Sequence, residues 1–258
     1  MNRIIKIWST ANGELVNSFI GHSSDINATA LSECGTYLAS CSNDGIVRIW
    51  HLESGVYNVE LSSHFKFIRP IAVFKDHAGV VCSLNFFSVP VYNKGQRKLK
   101  RGLASASDDG TIKIYFEEDF GKPKFLKSSN IEKVNNNGVV KHHQKHLTLK
   151  VESTAANKGF SSIEFHPEGF IAAGTNWGSI VIWNKLSEIE RKQSDRDRII
   201  KNEHSKDCHL TLWNKDGTML LSASFDGTAK VWPWNSVNFD ANRTMSSIFI
   251  FDGELGRV

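Results

Sequence analysis

The chain has 258 residues, of which 40% are hydrophobic and 22% charged, and a formal net charge of +4. This is the composition of an ordinary globular protein with ample core, and the mild positive charge permits an acidic partner without requiring nucleic acid. No apolar run approaches the roughly 18 residues of a membrane span, and no signal peptide is recognisable at the N-terminus. We therefore expect neither a membrane protein nor a secreted one.

The four cysteines support an intracellular location. Cys34, Cys41, Cys82 and Cys208 form no Cys-x-x-Cys pair. Three of them lie in or beside predicted strands, where a small apolar residue fits. We interpret all four as free thiols in a reducing compartment, since neither a disulfide framework nor a zinc site has this spacing.

The first predicted elements are short strands. A strand over Arg3–Trp8 opens the chain, and Ile26–Leu31 and Tyr37–Ser42 follow on either side of a polar turn. Asn43-Asp44-Gly45 then separates Tyr37–Ser42 from a further strand, Ile46–Trp50. Asn, Asp and Gly tolerate the positive φ of a tight turn, so this stretch predicts a β-hairpin.

The hairpin recurs along the chain. Similar segments occupy Leu103–Tyr115 and Leu221–Trp232, and a degraded copy occupies Ile171–Trp183. Aromatic residues close the copies at Trp8, Trp50, Tyr115, Trp183 and Trp232, in steps of 42, 65, 68 and 49 residues. The first step is that of a blade-forming repeat, and the longer ones indicate the same unit with insertions.

With four short strands per unit and little helical periodicity, the chain resembles the WD-repeat β-propellers. The resemblance implies an all-β fold in one domain over 1–258, with four complete blades and partial blades at both ends. We expect Ser247–Phe251 to be the first strand of a further blade. The strand count leaves the ring open, so we favour an interior piece of a seven- or eight-bladed propeller.

The family resemblance also implies a hydrogen-bonded tetrad in each blade: His before the first strand, Ser in the second, Asp in the tight turn and Trp after it. Three units match, with Tyr replacing Trp in one of them. The expected tetrads are His22, Ser40, Asp44, Trp50; His77, Ser105, Asp109, Tyr115; and His204, Ser222, Asp226, Trp232. The unit ending at Trp183 has Ala173 and Trp177 at the Ser and Asp positions, so we expect its blade to be the least stable.

A His, a Ser and an Asp that recur together raise the alternative of a nucleophilic triad. The trio appears three times at the repeat spacing, and catalytic sites are seldom triplicated. We therefore assign these residues to the framework and expect no enzyme activity, no cofactor and no metal. His142, His143 and His146 could bind a metal on a helix, but the β-patterned residues around them argue against one.

Three insertions, 88–102, 117–157 and 188–206, distinguish this chain from a minimal propeller. The first reads as a flexible basic loop between strands. Its cations are the candidate contacts for a partner with phosphates or an acidic tail. They are Lys94, Arg97, Lys98, Lys100 and Arg101. The alternative is a solvated loop without a partner.

Within this family, the run from Lys6 to Asn27 resembles the early blades of the bromodomain-and-WD-repeat proteins. That resemblance implies a nuclear, chromatin-associated scaffold that binds proteins or peptides, histones among them. It does not imply sequence-specific nucleic-acid binding, membrane binding or a small-molecule substrate. Two alternatives stay open: a substrate receptor of a cullin-RING ubiquitin ligase, whose Asp-x-Arg docking pattern is missing after Trp50, Trp183 and Trp232, and an assembly platform outside the nucleus.

Overall fold

The structure is a computed structural model that describes residues 3–52, 70–93, 96–120, 146–150, 159–190, 197–200, 203–234 and 246–252. Its strands form one two-stranded and four four-stranded antiparallel sheets. The two-stranded sheet pairs β1 (Ile4–Trp8) with β2 (Leu15–Ile20). We number the four-stranded sheets blade 1 to blade 4 in chain order.

Each blade consists of four consecutive strands, paired in chain order. Blade 1 contains β3 (Ile26–Leu31), β4 (Tyr37–Ser42), β5 (Val47–His51) and β6 (Ala72–Phe74). Blade 2 contains β7 (Val81–Asn93), β8 (Gln96–Ser107), β9 (Thr111–Phe116) and β10 (His146–Lys150). Blade 3 contains β11 (Glu164–Phe165), β12 (Ile171–Gly174), β13 (Ile180–Trp183) and β14 (Asp197–Ile200), and blade 4 contains β15 (Leu210–Trp213), β16 (Met219–Ala223), β17 (Thr228–Pro233) and β18 (Phe249–Asp252). A 3₁₀ turn, Glu117–Asp119, follows β9, and a short helix, α1 (Leu186–Glu190), follows β13. No helix in these described ranges is long and apolar enough to span a membrane.

The repeated hairpin is the connection between the second and third strands of a blade. In blade 1, β4 pairs with β5 in a register that sets Leu38 opposite Trp50. Gly45 at the turn has a φ of 74°, a conformation that side chains with a Cβ rarely adopt. The tight-turn sequence therefore fixes both the strand reversal and the register.

The core lies between neighbouring blades. One apolar cluster joins Ile49 and Phe74 of blade 1 to Leu103 and Tyr115 of blade 2, all buried. The rings of Phe74 and Tyr115 stack with centroids 3.9 Å apart. Two further clusters join blade 2 to blade 3 and blade 3 to blade 4. Successive sheets that pack face to face in this way confirm the predicted all-β propeller architecture.

Polar bonds also join neighbouring blades at or beside their first strands. A polar side chain of blade 1, blade 2 and blade 3 in turn reaches the first strand of the next blade. The bonds are Asn27 Nδ2 to the Val81 carbonyl at 2.9 Å, Asn85 Nδ2 to Glu164 Oε2 at 2.7 Å, and Ser162 Oγ with Thr211 Oγ1 at 3.1 Å. These bonds fix the relative height of adjacent blades.

Two sequence-based expectations were wrong. Residues 88–102 are not a flexible loop between strands, because β7 and β8 remain paired from Ser88↔Arg101 out to Asn93↔Gln96. Ser247–Phe251 does not begin another blade either: Phe249–Asp252 is β18, which pairs with β17 and completes blade 4. In both cases, pairing with an adjacent strand satisfies the backbone hydrogen bonds.

The other two predicted insertions contain blade strands. Residues 117–157 include β10, the fourth strand of blade 2, and residues 188–206 include β14, the fourth strand of blade 3. His146 begins β10, which is the strand that the β-patterned sequence predicted there. His142 and His143 lie outside the described residues.

Candidate functional site

The polar tetrad is complete in blade 4. His204 Nε2 lies 2.8 Å from Ser222 Oγ, and its Nδ1 lies 3.3 Å from Asp226 Oδ2. The indole Nε1 of Trp232 donates to Ser222 Oγ at 3.0 Å. All four predicted residues therefore form one connected hydrogen-bond chain.

Blade 1 makes only part of this chain. His22 lies 2.6 Å from Ser40 Oγ through Nε2 and 3.0 Å from Asp44 Oδ2 through Nδ1. The indole N–H of Trp50, however, is buried without a hydrogen-bond partner in the described part of the molecule. Arg48 adds a bond from its guanidinium to Asp44 Oδ2 at 3.3 Å.

Blade 2 shows how the tyrosine fits. His77 Nε2 lies 2.7 Å from Ser105 Oγ, and Nδ1 lies 3.1 Å from Asp109 Oδ2. Burial raises the pKa of the Tyr115 phenol. The Tyr115 ring stacks on Phe74, and a bond from its hydroxyl to Ser105 stays a prediction.

The aspartates hold the tight turns through backbone amides. Asp226 accepts the N–H groups of Ser205 and Thr228, both at 2.9 Å, and the Thr228 hydroxyl at 2.7 Å. Although burial opposes ionisation, these bonds lower the pKa of Asp226 below its ordinary value. Asp44 and Asp109 accept the equivalent amide bonds, and each has a lowered pKa for the same reason.

The Asp–His–Ser connectivity is that of a nucleophilic triad, but access to the serines is closed. Ser40, Ser105 and Ser222 each have 0% of their surface exposed. A nucleophile must reach its substrate, and these serines have no exposed surface in the described part of the molecule. Burial also lowers the pKa of His22, His77 and His204. The arrangement supports a neutral imidazole that connects strand to turn.

Blade 3 departs from this pattern. Without the serine and aspartate, its second-to-third-strand turn closes through Thr175, whose hydroxyl donates to the Ser179 carbonyl at 2.8 Å. Trp177, at the aspartate position, lies near Phe160 with ring centroids 6.3 Å apart. The blade relies on local turn bonds and aromatic packing, while the expectation that it is the least stable blade stays a prediction.

The extended β7–β8 hairpin distributes its basic residues over two faces. Side chains alternate along a strand, so Arg97 and Arg101 share one face, with Leu99 between them, and Lys98 and Lys100 share the other. Lys100 Nζ lies 3.9 Å from the ring centroid of Phe116. The predicted basic cluster is therefore divided, and Lys94 lies outside the described residues.

Two further features were not predicted from the sequence. Glu164 faces Asn85 across the blade 2–blade 3 contact, and burial raises its pKa to about 7. His166 Nε2 lies 2.7 Å from the Gly217 carbonyl, which links blade 3 to blade 4. Both contacts join residues about 50 or more positions apart, so no local sequence pattern predicts them. The sequence His166-Pro167-Glu168-Gly169 predicted only a turn at this place.

Comparison with known proteins agrees with this geometry. The family model "WD domain, G-beta repeat" matches residues 13–51, 68–115 and 198–233. These segments cover blade 1 and much of blades 2 and 4. Blade 3, whose turn lacks the tetrad aspartate, is almost entirely outside the matches.

Three relatives illustrate the range of similarity. A bromodomain and WD repeat-containing protein of Dictyostelium discoideum is 39% identical over 116 residues, which is 44% of this chain and 4% of that protein. Chromatin assembly factor 1 subunit FAS2 homolog of Oryza sativa subsp. japonica is 28% identical over 144 residues, 55% of this chain and 25% of that protein. Periodic tryptophan protein 2 of Arabidopsis thaliana is 22% identical over 228 residues, 88% of this chain and 19% of that protein.

The chain thus spans a quarter or less of the length of each of these three relatives. The repeat matches coincide with the blades that contain the tetrads, and the strand order within every blade is that of the repeat. The chain therefore contains WD repeats and has the fold of a partial β-propeller.

Proposed function

We propose that this chain is a non-catalytic scaffold that binds protein or peptide partners in chromatin. The observation that carries the scaffold role is the burial of the tetrad: its histidines and serines are the residues with the connectivity of a catalytic triad, and they are bonded inside the blades. What remains for function is the rigid surface that the blades present.

The names of two relatives support the chromatin assignment. One is a bromodomain and WD repeat-containing protein, and the other is a chromatin assembly factor subunit homolog. The chain covers only a small part of each of these proteins. We propose that it shares their association with chromatin. Histones or proteins that handle them are the partners we expect.

Affinity purification of the tagged full chain from nuclear extract tests this proposal. Recovery of histones or chromatin assembly proteins after a wash at moderate salt is the expected result. Recovery of a cullin adaptor without chromatin proteins would favour the ubiquitin-ligase receptor instead, and recovery of cytoplasmic assemblies alone would favour a platform outside the nucleus. A variant with Lys98→Glu and Arg101→Glu serves as the comparison for charge-dependent partners.

A further inference from the structure

A cleft lies at the base of the β7–β8 hairpin, where it faces the β3–β4 turn of blade 1. Its volume is about 340 Å³, at the lower end of the roughly 300–1,000 Å³ range of ligand pockets. Four aromatic residues line it: Tyr37, Phe86, Phe87 and Phe120. The rings of Tyr37 and Phe86 lie edge-on to that of Phe120, with centroids 5.5 and 6.4 Å away. The cleft therefore offers an apolar, largely rigid surface for one or two side chains.

The lining carries charges of opposite sign. Arg101 comes from the hairpin, and Leu99 on the same face of β8 is 54% exposed beside it. Glu33 comes from the β3–β4 turn and Glu117 from the 3₁₀ turn after β9. Within the described residues, neither carboxylate forms an ion pair with Arg101 or with any other cation. Among the described residues, the cleft thus has a basic side and an acidic side whose charges are not paired with each other.

This charge arrangement disfavours nucleic acid as the occupant. A phosphate backbone requires cations that converge, whereas Lys98 and Lys100 lie on the opposite face of the hairpin from Arg101. Glu33 and Glu117 would repel phosphates placed in the cleft. A peptide can satisfy an apolar surface and both charges at once, because its side chains differ in chemistry along the chain.

We propose that this cleft binds a peptide segment in which one large apolar side chain stands between an acidic and a basic residue. The apolar side chain inserts beside the rings of Tyr37, Phe86 and Phe120, the acidic residue pairs with Arg101, and the basic residue pairs with Glu33 and Glu117. In an extended peptide, side chains two positions apart lie on the same face, so the charges belong two positions before and two positions after the anchor. This inference rests on the proposed scaffold function and specifies the peptide that the scaffold recognises.

Two fluorescent peptides that differ only in the order of their charged residues test the charge arrangement. Fluorescence anisotropy measures the affinity of the full chain for each peptide. One has aspartate two positions before a central tryptophan and lysine two positions after it; the other exchanges the two charges. We expect one order to bind about tenfold more tightly, since the wrong order replaces attractions by repulsions. Replacing the tryptophan by alanine should weaken the better peptide by about tenfold or more.

The charge swap R101E with E117K keeps the net charge and should invert the preference between the two peptides. The matched control is K98E with E118K, which makes the same exchange outside the cleft lining and should keep the original preference. The proposal is overturned if the two orders bind equally, if the alanine peptide binds as well as the tryptophan peptide, or if the cleft swap leaves the preference unchanged.

Cys34 provides a readout on the unmodified chain, so the test stands even if a swapped variant folds poorly. Cys34 is exposed and lines the cleft, whereas Cys41 and Cys208 are buried. Hydrogen bonds from Ser32 and Thr36 lower the pKa of the Cys34 thiol, which favours its alkylation. The preferred peptide should slow alkylation of Cys34 several-fold at saturation, and C34S should remove the signal. Unchanged alkylation would reject the cleft.

The two proposals fail in different ways. If the full chain captures chromatin proteins while neither peptide binds or protects Cys34, the scaffold stands and the cleft is not its recognition site. If peptide binding follows the predicted preference but nuclear extract yields only cytoplasmic partners, the cleft stands and the chromatin role fails.

Discussion

Trp50 and Trp232 occupy corresponding positions in blades 1 and 4, and both are fully buried. Trp232 donates a hydrogen bond to Ser222, whereas the Trp50 indole N–H has no partner among the described residues. We expect Trp232→Phe to lower the free energy of unfolding by about 1 kcal/mol more than Trp50→Phe, because only the former loses a hydrogen bond. Urea unfolding of both variants measures the difference. Equal losses would mean that the tetrad tryptophan contributes through packing alone.

The tetrad histidines predict how stability changes with pH. Burial lowers the pKa of His22, His77 and His204 below 6.5, so the unfolded chain takes up protons before the folded one does. The stability that these neutral histidines contribute is fully present above pH 6.5. It is lost as the pH falls from there through the pKa of the folded state. The lowered pKa values of the tetrad aspartates act in the same direction, below about pH 4.

We therefore expect the urea concentration at the unfolding midpoint to decrease as the pH is lowered from 7.5 to 5.5. The decrease should be smaller in H204Q. The control is H209Q, which changes an exposed histidine outside the tetrads and leaves all three tetrad imidazoles in place. A midpoint that is constant over this range would contradict the assignment of neutral, buried imidazoles.

At the scale of single elements, the blade 3–blade 4 contact can be isolated with two glycines. Gly217 and Gly35 both have a φ of 69°. A Cβ at Gly217 would lie 2.2 Å from His166 Nε2, whereas a Cβ at Gly35 would meet nothing within 4 Å. Gly35→Ala should therefore lower the free energy of unfolding by about 1 kcal/mol, because it introduces backbone strain alone. Gly217→Ala should lower it clearly more.

Thermal unfolding of both variants measures that excess cost. In the H166A background, Gly217→Ala should cost no more than Gly35→Ala, because the clashing ring is gone. A persistent excess in that background would show that Gly217 is required for a reason other than the His166 contact.

The elements also show how far the sequence could lead. The tight turns and closing aromatics predicted the hairpins that end at Trp50, Tyr115, Trp183 and Trp232, because these signals are local and recur. The β7–β8 extension was not predicted, although Val89 and Val91 alternate with other residues and Asn93-Lys94-Gly95 is a typical turn sequence. The dense positive charge of this segment favoured a solvated loop instead. The cleft could not be predicted from the sequence, since its lining comes from four separate segments.

For the whole molecule, burial and hydrogen bonding make opposite predictions about blade 3. All residues of β12 and β13 are buried, whereas blade 4 exposes apolar side chains on β15, β16 and β18. Each missing tetrad bond costs about 1 kcal/mol, but burying one large apolar side chain contributes about 1.5–3 kcal/mol. Several such side chains outweigh the missing bonds.

We therefore expect the amides of β12 and β13 to exchange with deuterium more slowly than those of β16 and β17, although the sequence alone ranked blade 3 as the least stable. Native-state hydrogen exchange followed by mass spectrometry measures this order. The β1–β2 pair, with exposed Trp8 and Ile20, should exchange fastest and serves as the internal reference. Faster exchange in β12 and β13 would show that the tetrad determines blade stability.

The connections within the blades decide where this protein can change length. In every blade the longest connection joins the third strand to the fourth: 52–71, 117–145, 184–196 and 234–248. Neighbouring blades, by contrast, are tied to one another at or beside their first strands by Asn27, Asn85 and Ser162. We therefore expect insertions and deletions to be tolerated in these four connections, while the polar bonds between neighbouring blades keep a fixed spacing. Insertions in these four connections can therefore add new binding surfaces without changing the strands of any blade.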